Sequence, residues 1–222
     1  MLILQNVSVD LAGTSVLRNV SAELRAGSVV AVVGRNGAGK TTLLRALMGL
    51  VKLKSGRILF DQDELDTLPP HYRAEQGIGY APEDRVIFPT LSVEENLRLP
   101  CEAHGLSNGD IATRMSDVLE VVPQLREMLK RSGAALSGGQ GKMVALGRAL
   151  MAGTRLVLLD EPFQGLAPVL AQQYAEALGR LRQVRPELCV AITESNASLL
   201  KNIPDQVIML ERGELCTAAL SA

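Results

Sequence analysis

The chain has 222 residues, of which 47% are hydrophobic and 21% are charged, and its formal net charge is −1. This is the composition of an ordinary globular protein that can bury a core, and it excludes a disordered chain. The small net charge without a long basic run argues against a nucleic-acid groove, so no nucleic-acid partner is predicted.

Three cysteines lie far apart in the chain, at Cys101, Cys189 and Cys216. They form no Cys-x-x-Cys pair, which argues against a metal site or a disulfide framework and favours a reducing compartment. No apolar stretch approaches the roughly 20 residues that span a bilayer. Residues 1–6 lack the charged start and long apolar run of a signal peptide. If the protein works at a membrane, another chain must hold it there.

The first part of the chain is predicted to be rich in strands. Residues 2–9 and 15–24 form two of them, because apolar and polar residues partly alternate there. Residues 29–33 are apolar on both faces, as expected at the centre of a parallel sheet. Shorter strands are predicted at residues 57–60 and 77–82, the last of which stops at a proline.

Between the strand at 29–33 and a helical pattern at 43–48, the chain fits the pattern Gly, four residues, Gly-Lys-Ser/Thr. The glycines let the backbone curl into a nest of N–H groups, to which the following helix adds its positive end. Lys40 adds a charge near the β- and γ-phosphates of a nucleotide, and Thr41 supplies a hydroxyl to magnesium. The alternative is a glycine-rich turn between a strand and a helix. The predicted nucleotide-binding residues of this phosphate loop are Gly34, Arg35, Asn36, Gly37, Ala38, Gly39, Lys40, Thr41 and Thr42.

The character of the chain changes to helices between residues 91 and 151. Ser92 and Glu95 form a capping box that opens a short helix to residue 99. Apolar residues at helical spacing predict a second helix at 110–122, which a proline ends before a helix resumes at 124–130.

The sheet then returns, with strands predicted at residues 155–160, 188–193 and 206–210 and a long helix at 169–184. Strands that alternate with helices indicate a three-layer α/β core. The 222 residues are predicted to form one domain, with residues 1–90 and 152–222 as the core and residues 91–151 as an inserted helical subdomain.

Asp160 and Glu161 follow the apolar strand at 155–160. Adjacent residues at a strand end point in different directions, so Asp160 can hold magnesium while Glu161 handles the attacking water of an NTP hydrolase. Taken alone, this pair also fits a solvated strand end, and the phosphate loop shifts the balance toward catalysis.

The segment Leu136-Ser137-Gly138-Gly139-Gln140 precedes a helical stretch and forms a second anion nest, with Ser137 as N-cap. This segment resembles the signature of the ATP-binding-cassette (ABC) family. Together with the phosphate loop and Asp160-Glu161 in the same order, the resemblance covers nearly the whole chain. It implies a P-loop NTPase core of the ABC ATPase type, with antiparallel N-terminal strands and the helical insertion.

The resemblance also implies a mechanism. Two such subunits meet head to tail, so that ATP and Mg²⁺ lie between the phosphate loop of one and the signature of the other, here Ser137, Gly138, Gly139 and Gln140. Binding closes the dimer, hydrolysis opens it, and the movement drives transmembrane permease subunits. The implied location is the cytoplasmic face of the inner membrane. The second ATPase chain is identical or different, and a periplasmic or extracellular binding protein takes part indirectly.

The segment from Tyr80 to Leu97 and the segment Gly165-Leu166-Ala167-Pro168 resemble the ATPases of branched-chain amino-acid importers. Most of the wider family has Gln at position 83. The resemblance implies that Glu83 reaches magnesium or the water and senses the permease, and the alternative is an exposed loop carboxylate.

Three positions depart from the family pattern. Leu11 stands where an aromatic residue usually stacks on adenine, so ATP affinity is expected to be modest. Ser195 replaces the His that usually contacts the γ-phosphate, or merely caps the next helix. Gly141-Lys142 follows the signature where Gln or Arg is usual, and Gly141 is expected to loosen the first turn of that helix.

The leading hypothesis is the ATPase subunit of an importer for branched-chain amino acids or similar small polar solutes. A soluble cassette protein of translation or DNA repair is disfavoured, because those carry two cassettes or a coiled-coil insertion. A nucleotide-binding regulator with a weak site, paired with a more active ATPase chain, remains open because of Ser195. His71 and His104 are expected to be solvated surface residues.

Overall fold

The computed structural model of the chain describes residues 1–200 and 203–216. Its strands are β1 Leu2–Leu11, β2 Thr14–Leu24, β3 Val29–Val33, β4 Ser55–Phe60, β5 Asp63–Glu64, β6 Ile78–Ala81, β7 Leu156–Asp160, β8 Cys189–Glu194, β9 Gln206–Glu211 and β10 Glu214–Cys216. Its α-helices are α1 Lys40–Met48, α2 Pro70–Glu75, α3 Val93–Ala103, α4 Asn108–Val121, α5 Gly138–Ala152 and α6 Pro168–Val184. Short 3-10 helices lie at Pro123–Met128, Gly133–Ala135 and Ala197–Leu199.

The central sheet has the strand order β10-β9-β3-β8-β7-β6. β3 pairs in parallel with β8 and β9, and β7 pairs in parallel with β6 and β8. Every residue of β3 and β7 is buried. In the register, Val33 lies opposite Glu194, and Asp160 lies opposite Thr193. Because the carboxyl ends of parallel strands share one edge of a sheet, the loops after β3, β6, β7 and β8 meet there.

Layers on both faces cover this sheet. Val30 and Val32 of β3 pack into a core with α1 and the antiparallel sheet β2-β1-β4-β5. Ala31 and Val33 pack into a second core with helices α3 to α6. The predicted fold class, a three-layer α/β core with antiparallel N-terminal strands, is confirmed. The α-helices between β6 and β7 begin within the predicted helical insertion at 91–151, and α5 ends one residue beyond it, at Ala152. The subdomain boundaries stay a prediction.

The helical stretch differs from expectation in two places. α3 continues to Ala103 through Pro100 instead of ending at residue 99. Proline removes one helical hydrogen bond, but the buried side chains of Leu97 and Cys101 pack the last turns of the helix against the core. Beyond the proline after α4, the chain forms the 3-10 helix Pro123–Met128 where an α-helix was expected.

Candidate functional site

The loop after β3 forms a curled cradle of backbone N–H groups. Gly37 and Gly39 are left-handed, with φ of 81° and 108°. The loop packs so closely that a Cβ on Gly34 would lie 2.2 Å from the carbonyl oxygen of Leu210. α1 begins at Lys40 with Gly39 as its N-cap, and no side chain caps it. Its first N–H groups are therefore available to an anion, in agreement with the sequence pattern.

A cavity of about 350 Å³ lies over this loop and brings four separate stretches of sequence together. Its lining residues are Val16, Asn36, Gly37, Gly39, Lys40, Thr41, Thr42, Glu83, Glu161 and Gln164. A second cavity of about 530 Å³ lies beside the same loop, and Gly34, Arg35, Ala38 and Ser195 contribute to its lining. Most of the predicted phosphate-loop residues thus share one cavity with Glu83 and Glu161, and the others line the second cavity.

Lys40 is buried at the centre of the site, with 4% of its surface exposed. Its Nζ donates to the carbonyl oxygens of Gly34 at 2.7 Å and Arg35 at 3.2 Å, and pairs with Glu161 Oε1 at 2.9 Å. The other carboxylate oxygen, Glu161 Oε2, is buried and has no hydrogen-bond partner. A buried charged oxygen without a partner is unfavourable, so the site is suited to a ligand or water that supplies one.

Asp160 lies at the end of β7 beside the start of α1. Its Oδ1 accepts from Thr41 Oγ1 at 3.2 Å and from Thr193 Oγ1 at 2.7 Å, while its Oδ2 accepts from the Tyr80 hydroxyl at 3.2 Å. Burial and the Asp160 carboxylate raise the pKa of Tyr80, so its hydroxyl stays protonated and donates. The structure therefore joins Thr41 and Asp160, two of the three residues that the sequence proposes for magnesium, the third being Glu83.

The backbone of Glu161 is left-handed, with φ of 45°, which is uncommon for a residue that has a Cβ. Its N–H donates to the carbonyl and the hydroxyl oxygens of Thr193, at 3.1 and 3.2 Å. Its carbonyl accepts from Lys142 Nζ at 2.6 Å. These contacts from β8 and α5 hold the sharp turn that aims the Glu161 side chain at Lys40.

Glu194, at the end of β8, is buried and close to this turn. Burial raises the pKa of its carboxyl to about 7, against a hydrogen bond that lowers it. That bond comes from the N–H of Phe163 to Oε1 at 2.8 Å. The carboxyl therefore connects β8 to the segment that follows Glu161.

Ser195 lies in the phosphate site. Its Oγ is 2.6 Å from Glu161 Oε1 and 2.7 Å from Asn36 Oδ1, and it accepts from Lys40 Nζ at 3.4 Å. The next helical turn is capped by Asn196, whose side chain accepts from a backbone N–H at 3.0 Å. The interpretation of Ser195 as a mere helix cap is therefore wrong.

Glu83 and Leu11 lie in different surroundings. Glu83 is exposed in the loop after β6 and lines the cavity over the phosphate loop. Leu11 is 39% exposed at the turn between β1 and β2, and it does not belong to the lining of that cavity. Val16 of β2 lines the cavity instead. The structure brings Glu83, but not Leu11, to the phosphate loop.

The signature segment begins helix α5. Ser137 is the N-cap and accepts from the N–H of Gln140 at 3.3 Å, while the Gln140 side chain accepts from the N–H of Ser137 at 3.0 Å. The first turn is complete, because the N–H of Gly141 donates to the carbonyl of Ser137 at 2.9 Å. Residues 137–140 lie outside the lining of the cavity over the phosphate loop. Within one chain, the signature and the phosphate loop are therefore separate.

Three of the polar strand residues at the site escaped the sequence interpretation: Tyr80, Thr193 and Glu194. Each is a polar residue in the carboxyl half of a strand in the central sheet, next to a predicted functional segment. That position is the signal in the sequence, because the loops at this edge of an α/β sheet form ligand sites. Which strands are neighbours must be known before the signal can be used.

The described residues were also searched for metal clusters and membrane spans. In residues 1–200 and 203–216, no three His, Cys, Asp or Glu side chains group as a metal site would require. Mg²⁺ needs no such cluster, since proteins hold it through one or two carboxylates together with phosphate oxygens. The same part of the chain has no helix that is long and apolar enough to cross a bilayer.

Comparison with known proteins now adds to this geometry. The model of the family described as ABC transporter matches residues 17–164. The chain is 38% identical to the high-affinity branched-chain amino acid transport ATP-binding protein BraG of Pseudomonas aeruginosa, over 97% of this chain and 91% of the relative. It is 34% identical to the probable branched-chain amino acid transport ATP-binding protein LivF of Archaeoglobus fulgidus, over 90% and 84%. It is 33% identical to the lipopolysaccharide export system ATP-binding protein LptB of Escherichia coli, over 95% and 87%.

Solved structures agree with these relatives. The ATP-binding subunit of an ABC transporter superposes with a TM-score of 0.83 at 28% identity, over 97% of this chain and 88% of that one. The ADP conformation of another ABC transporter cassette gives a TM-score of 0.82 at 25% identity, over 97% and 89%. The fold and the phosphate site define a P-loop nucleotide-binding protein. This chain belongs to the ABC transporter family and is an ABC-type ATPase, and its resemblance to the branched-chain group is confirmed.

Proposed function

We propose that this chain is the ATP-hydrolysing subunit of an ABC importer that powers uptake of branched-chain amino acids or related small polar solutes. The observation that carries the proposal is that Lys40, Thr41 and Glu161 line the cavity over the phosphate loop, while Asp160 accepts a hydrogen bond from Thr41. The two relatives named for branched-chain amino-acid transport support the substrate class. LptB, which is named for export, is less similar than BraG.

In the proposed reaction, the N–H groups of the phosphate loop and Lys40 bind the phosphates of ATP. Thr41 and Asp160 would hold Mg²⁺, with Glu83 as a further ligand or a contact to the water. When bound, Mg²⁺ neutralises charge on the phosphate oxygens. Glu161 orients the attacking water and accepts its proton, because its carboxylate is held at the site and Oε2 lacks a partner.

Ser195 occupies the place of a γ-phosphate contact in this proposal, because its hydroxyl lies beside Lys40 and Glu161. A hydroxyl donates one hydrogen bond. Its distances of 2.6 and 2.7 Å to two acceptor oxygens mean that Glu161 and Asn36 compete for that hydrogen.

The signature completes the ATP site of a second ATPase chain, identical or different. Ser137, Gly138, Gly139 and Gln140 are separate from the cavity over this chain's own phosphate loop, which fits a head-to-tail pair. One solved dimeric cassette with bound ADP and phosphate shares the fold, with a TM-score of 0.83 at 23% identity.

The partners in the membrane are permease subunits, which hold the chain at the cytoplasmic face of the inner membrane. The loop after β6 carries Val86 and Phe88 with 54% and 44% of their surfaces exposed. Exposed apolar side chains of this kind are typical of contacts between proteins. Because they follow Glu83 in the same loop, a permease bound to them would sense the state of the ATP site. A periplasmic or extracellular binding protein supplies the solute to the permeases.

A second candidate is a catalytically weak regulatory partner of another ABC ATPase. Ser195 favours it, because a neutral hydroxyl shared between Glu161 and Asn36 is a poorer donor to a phosphate than a positioned His. In this case the chain supplies an intact signature to the ATP site of its partner and hydrolyses ATP slowly at its own phosphate loop.

Phosphate release by the purified transporter complex tests the proposal. Lys40→Ala should abolish the part of the phosphate release that comes from this chain's own site. The exposed Lys52→Ala control should release phosphate at the same rate as the unaltered complex. Phosphate release that Lys40→Ala leaves almost unchanged, but that the matching change in the partner abolishes, favours the regulator. Equal losses from Lys40→Ala and from the matching change in the partner contradict a weak own site. Uptake of labelled leucine, isoleucine, valine and small amides into vesicles that contain the complex tests the substrate class.

A further inference from the structure

Two reciprocal contacts join the loop after β6 to the signature helix α5. Arg85 Nη1 donates to the carbonyl oxygen of Gly138 at 3.0 Å. In return, Arg148 of α5 donates to the carbonyl oxygens of Arg85 at 2.9 Å and Val86 at 2.6 Å. The loop that carries Glu83 is thus bound to the first turn of α5 and to its third.

The loop has a backbone conformation that these contacts must support. Arg85 and Val86 are both left-handed, with φ of 64° and 45°, a conformation that is disfavoured for side chains with a Cβ and needs support from its surroundings. The half-buried guanidinium of Arg148 satisfies both carbonyls of this turn. The turn aims the Arg85 side chain back at the signature, where it meets Gly138.

Gly141, the residue that departs from the family pattern, lies under Arg85. A Cβ on Gly141 would lie 3.2 Å from Arg85 Cδ, closer than an ordinary van der Waals contact. Gly141 is buried, so a larger side chain there would push Arg85 away from Gly138. The departure at 141 therefore makes room for the contact between Arg85 and the signature.

We propose that Arg85 is a positioning residue for the ATP site of the neighbouring ATPase chain. Its loop lines this chain's own cavity through Glu83, two residues before Arg85. Its guanidinium holds Gly138 of the signature, which completes the neighbour's site. Arg85 thereby transmits the state of the loop at one ATP site to the groups that serve the other. This inference rests on the proposed function, since it requires the signature to act on a neighbour.

Single-site dimers in the assembled complex test this role. In the first dimer, Lys40→Ala silences this chain's phosphate loop, and the remaining site uses this chain's signature. In the second dimer, the matching lysine of the neighbour is replaced, and the remaining site uses the neighbour's signature. Adding Arg85→Ala should lower kcat about tenfold in the first dimer, with KM for ATP unchanged, and should leave the second within about twofold.

Three further variants separate positioning from folding. Arg85→Lys keeps one donor to the Gly138 carbonyl and should restore most of kcat in the first dimer. Gly141→Ala favours the helix but crowds Arg85, so it should lower kcat in the first dimer without lowering the melting temperature. The exposed Arg126→Ala is the matched control and should change neither dimer.

Equal losses in both dimers, a loss confined to the second dimer, or no loss at all would overturn the role of Arg85. These outcomes leave the proposed function standing as long as the unaltered dimer hydrolyses ATP. An unaltered dimer that releases no phosphate would refute the proposed function and the role of Arg85 together.

Discussion

The N-termini of helices α1 and α5 both present backbone N–H groups to an anion, but only α5 carries a side-chain cap. Glycines precede α1 and form the first two positions of α5, and both helices point their first N–H groups out of the helix. At α1 no side chain caps the helix, and Lys40 adds its charge. At α5, Ser137 and Gln140 form a capping box that satisfies the N–H groups of Gln140 and Ser137 from within the chain. A phosphate at the first site meets no side-chain cap, whereas at the second the N–H of Gln140 already has a partner in Ser137.

The two regions also differ in burial. Lys40 and Glu161 are 4% and 5% exposed and hold each other in the interior. Ser137 and Gly138 are exposed at the surface. Substitutions in the first region should therefore change both stability and activity, while substitutions in the second should change activity with little loss of stability.

The largest effect is expected for the buried ion pair. Lys40→Ala should lower ATP hydrolysis at this chain's loop by about 10²–10³ and the free energy of unfolding by about 3–5 kcal/mol, because it leaves the Glu161 carboxylate buried and unpaired. The double variant Lys40→Ala/Glu161→Gln should regain much of the stability while hydrolysis stays lost. Chemical denaturation followed by circular dichroism measures this. A double variant that is no more stable than Lys40→Ala would contradict the buried-charge explanation.

The next largest effect is expected for the pH dependence of stability, through the buried Glu194 near the phosphate loop. Since burial raises the pKa of Glu194 from 4.5 to about 7, the native state keeps a proton that the unfolded chain releases between these values. The free energy of unfolding should therefore fall as pH rises from about 4.5 to 7, by about 3 kcal/mol. Glu194→Gln should remove this part of the pH dependence, and the exposed Glu187→Gln should not. Identical pH profiles for the two variants would exclude Glu194 as the source.

Two glycines sharpen the comparison further. Gly34→Ala places a Cβ 2.2 Å from the Leu210 carbonyl oxygen, a backbone atom, and should destabilise the fold by about 2–3 kcal/mol. Gly139→Ala meets the end of the flexible Leu170 side chain at 2.2 Å, which can rotate away, so the free energy of unfolding should change by less than about 1 kcal/mol. Hydrolysis by the complex should fall in both. Equal destabilisation would show that the signature is packed as rigidly as the phosphate loop.

A small change in stability is also expected at the cap of α5. Ser137→Ala removes the acceptor for the N–H of Gln140 and should lower the free energy of unfolding by about 1 kcal/mol. The KM for ATP at this chain's own loop should not change, while the rate at the neighbour's loop should fall. A raised KM for ATP at this chain's own loop would contradict the assignment of Ser137 to the neighbour's ATP site. Steady-state kinetics of the single-site dimers measures both quantities.

The phosphate loop was predictable residue by residue because its chemistry lies in the backbone, and glycine spacing records backbone conformation. The placement of Asp160 beside Thr193 was not, since sequence does not say that β7 and β8 are neighbours. The sequence also left open which way the Ser195 side chain points, and the structure shows it turned toward Lys40. The expectation for Leu11 assumed that the end of β1 faces the nucleotide cavity, where β2 supplies Val16.

The expectation that Gly141 loosens its helix used helix propensity alone. In the fold, α5 is held by packing and by its cap, so its first turn is complete. Tertiary contacts outweigh propensities of this size. The sequence alone does not show that the Arg85 side chain packs against Gly141, because Arg85 belongs to a loop more than 50 positions earlier in the chain.

The pairing of Lys40 with Glu161 has a consequence for product exchange. The ammonium of Lys40 is already neutralised by a carboxylate, so an incoming polyphosphate must compete with Glu161 for it. A triphosphate brings one more anionic group to this competition than a diphosphate does. We therefore expect the pair between Lys40 and Glu161 to displace ADP more readily than ATP. The pair would thus favour release of ADP after hydrolysis and binding of the next ATP.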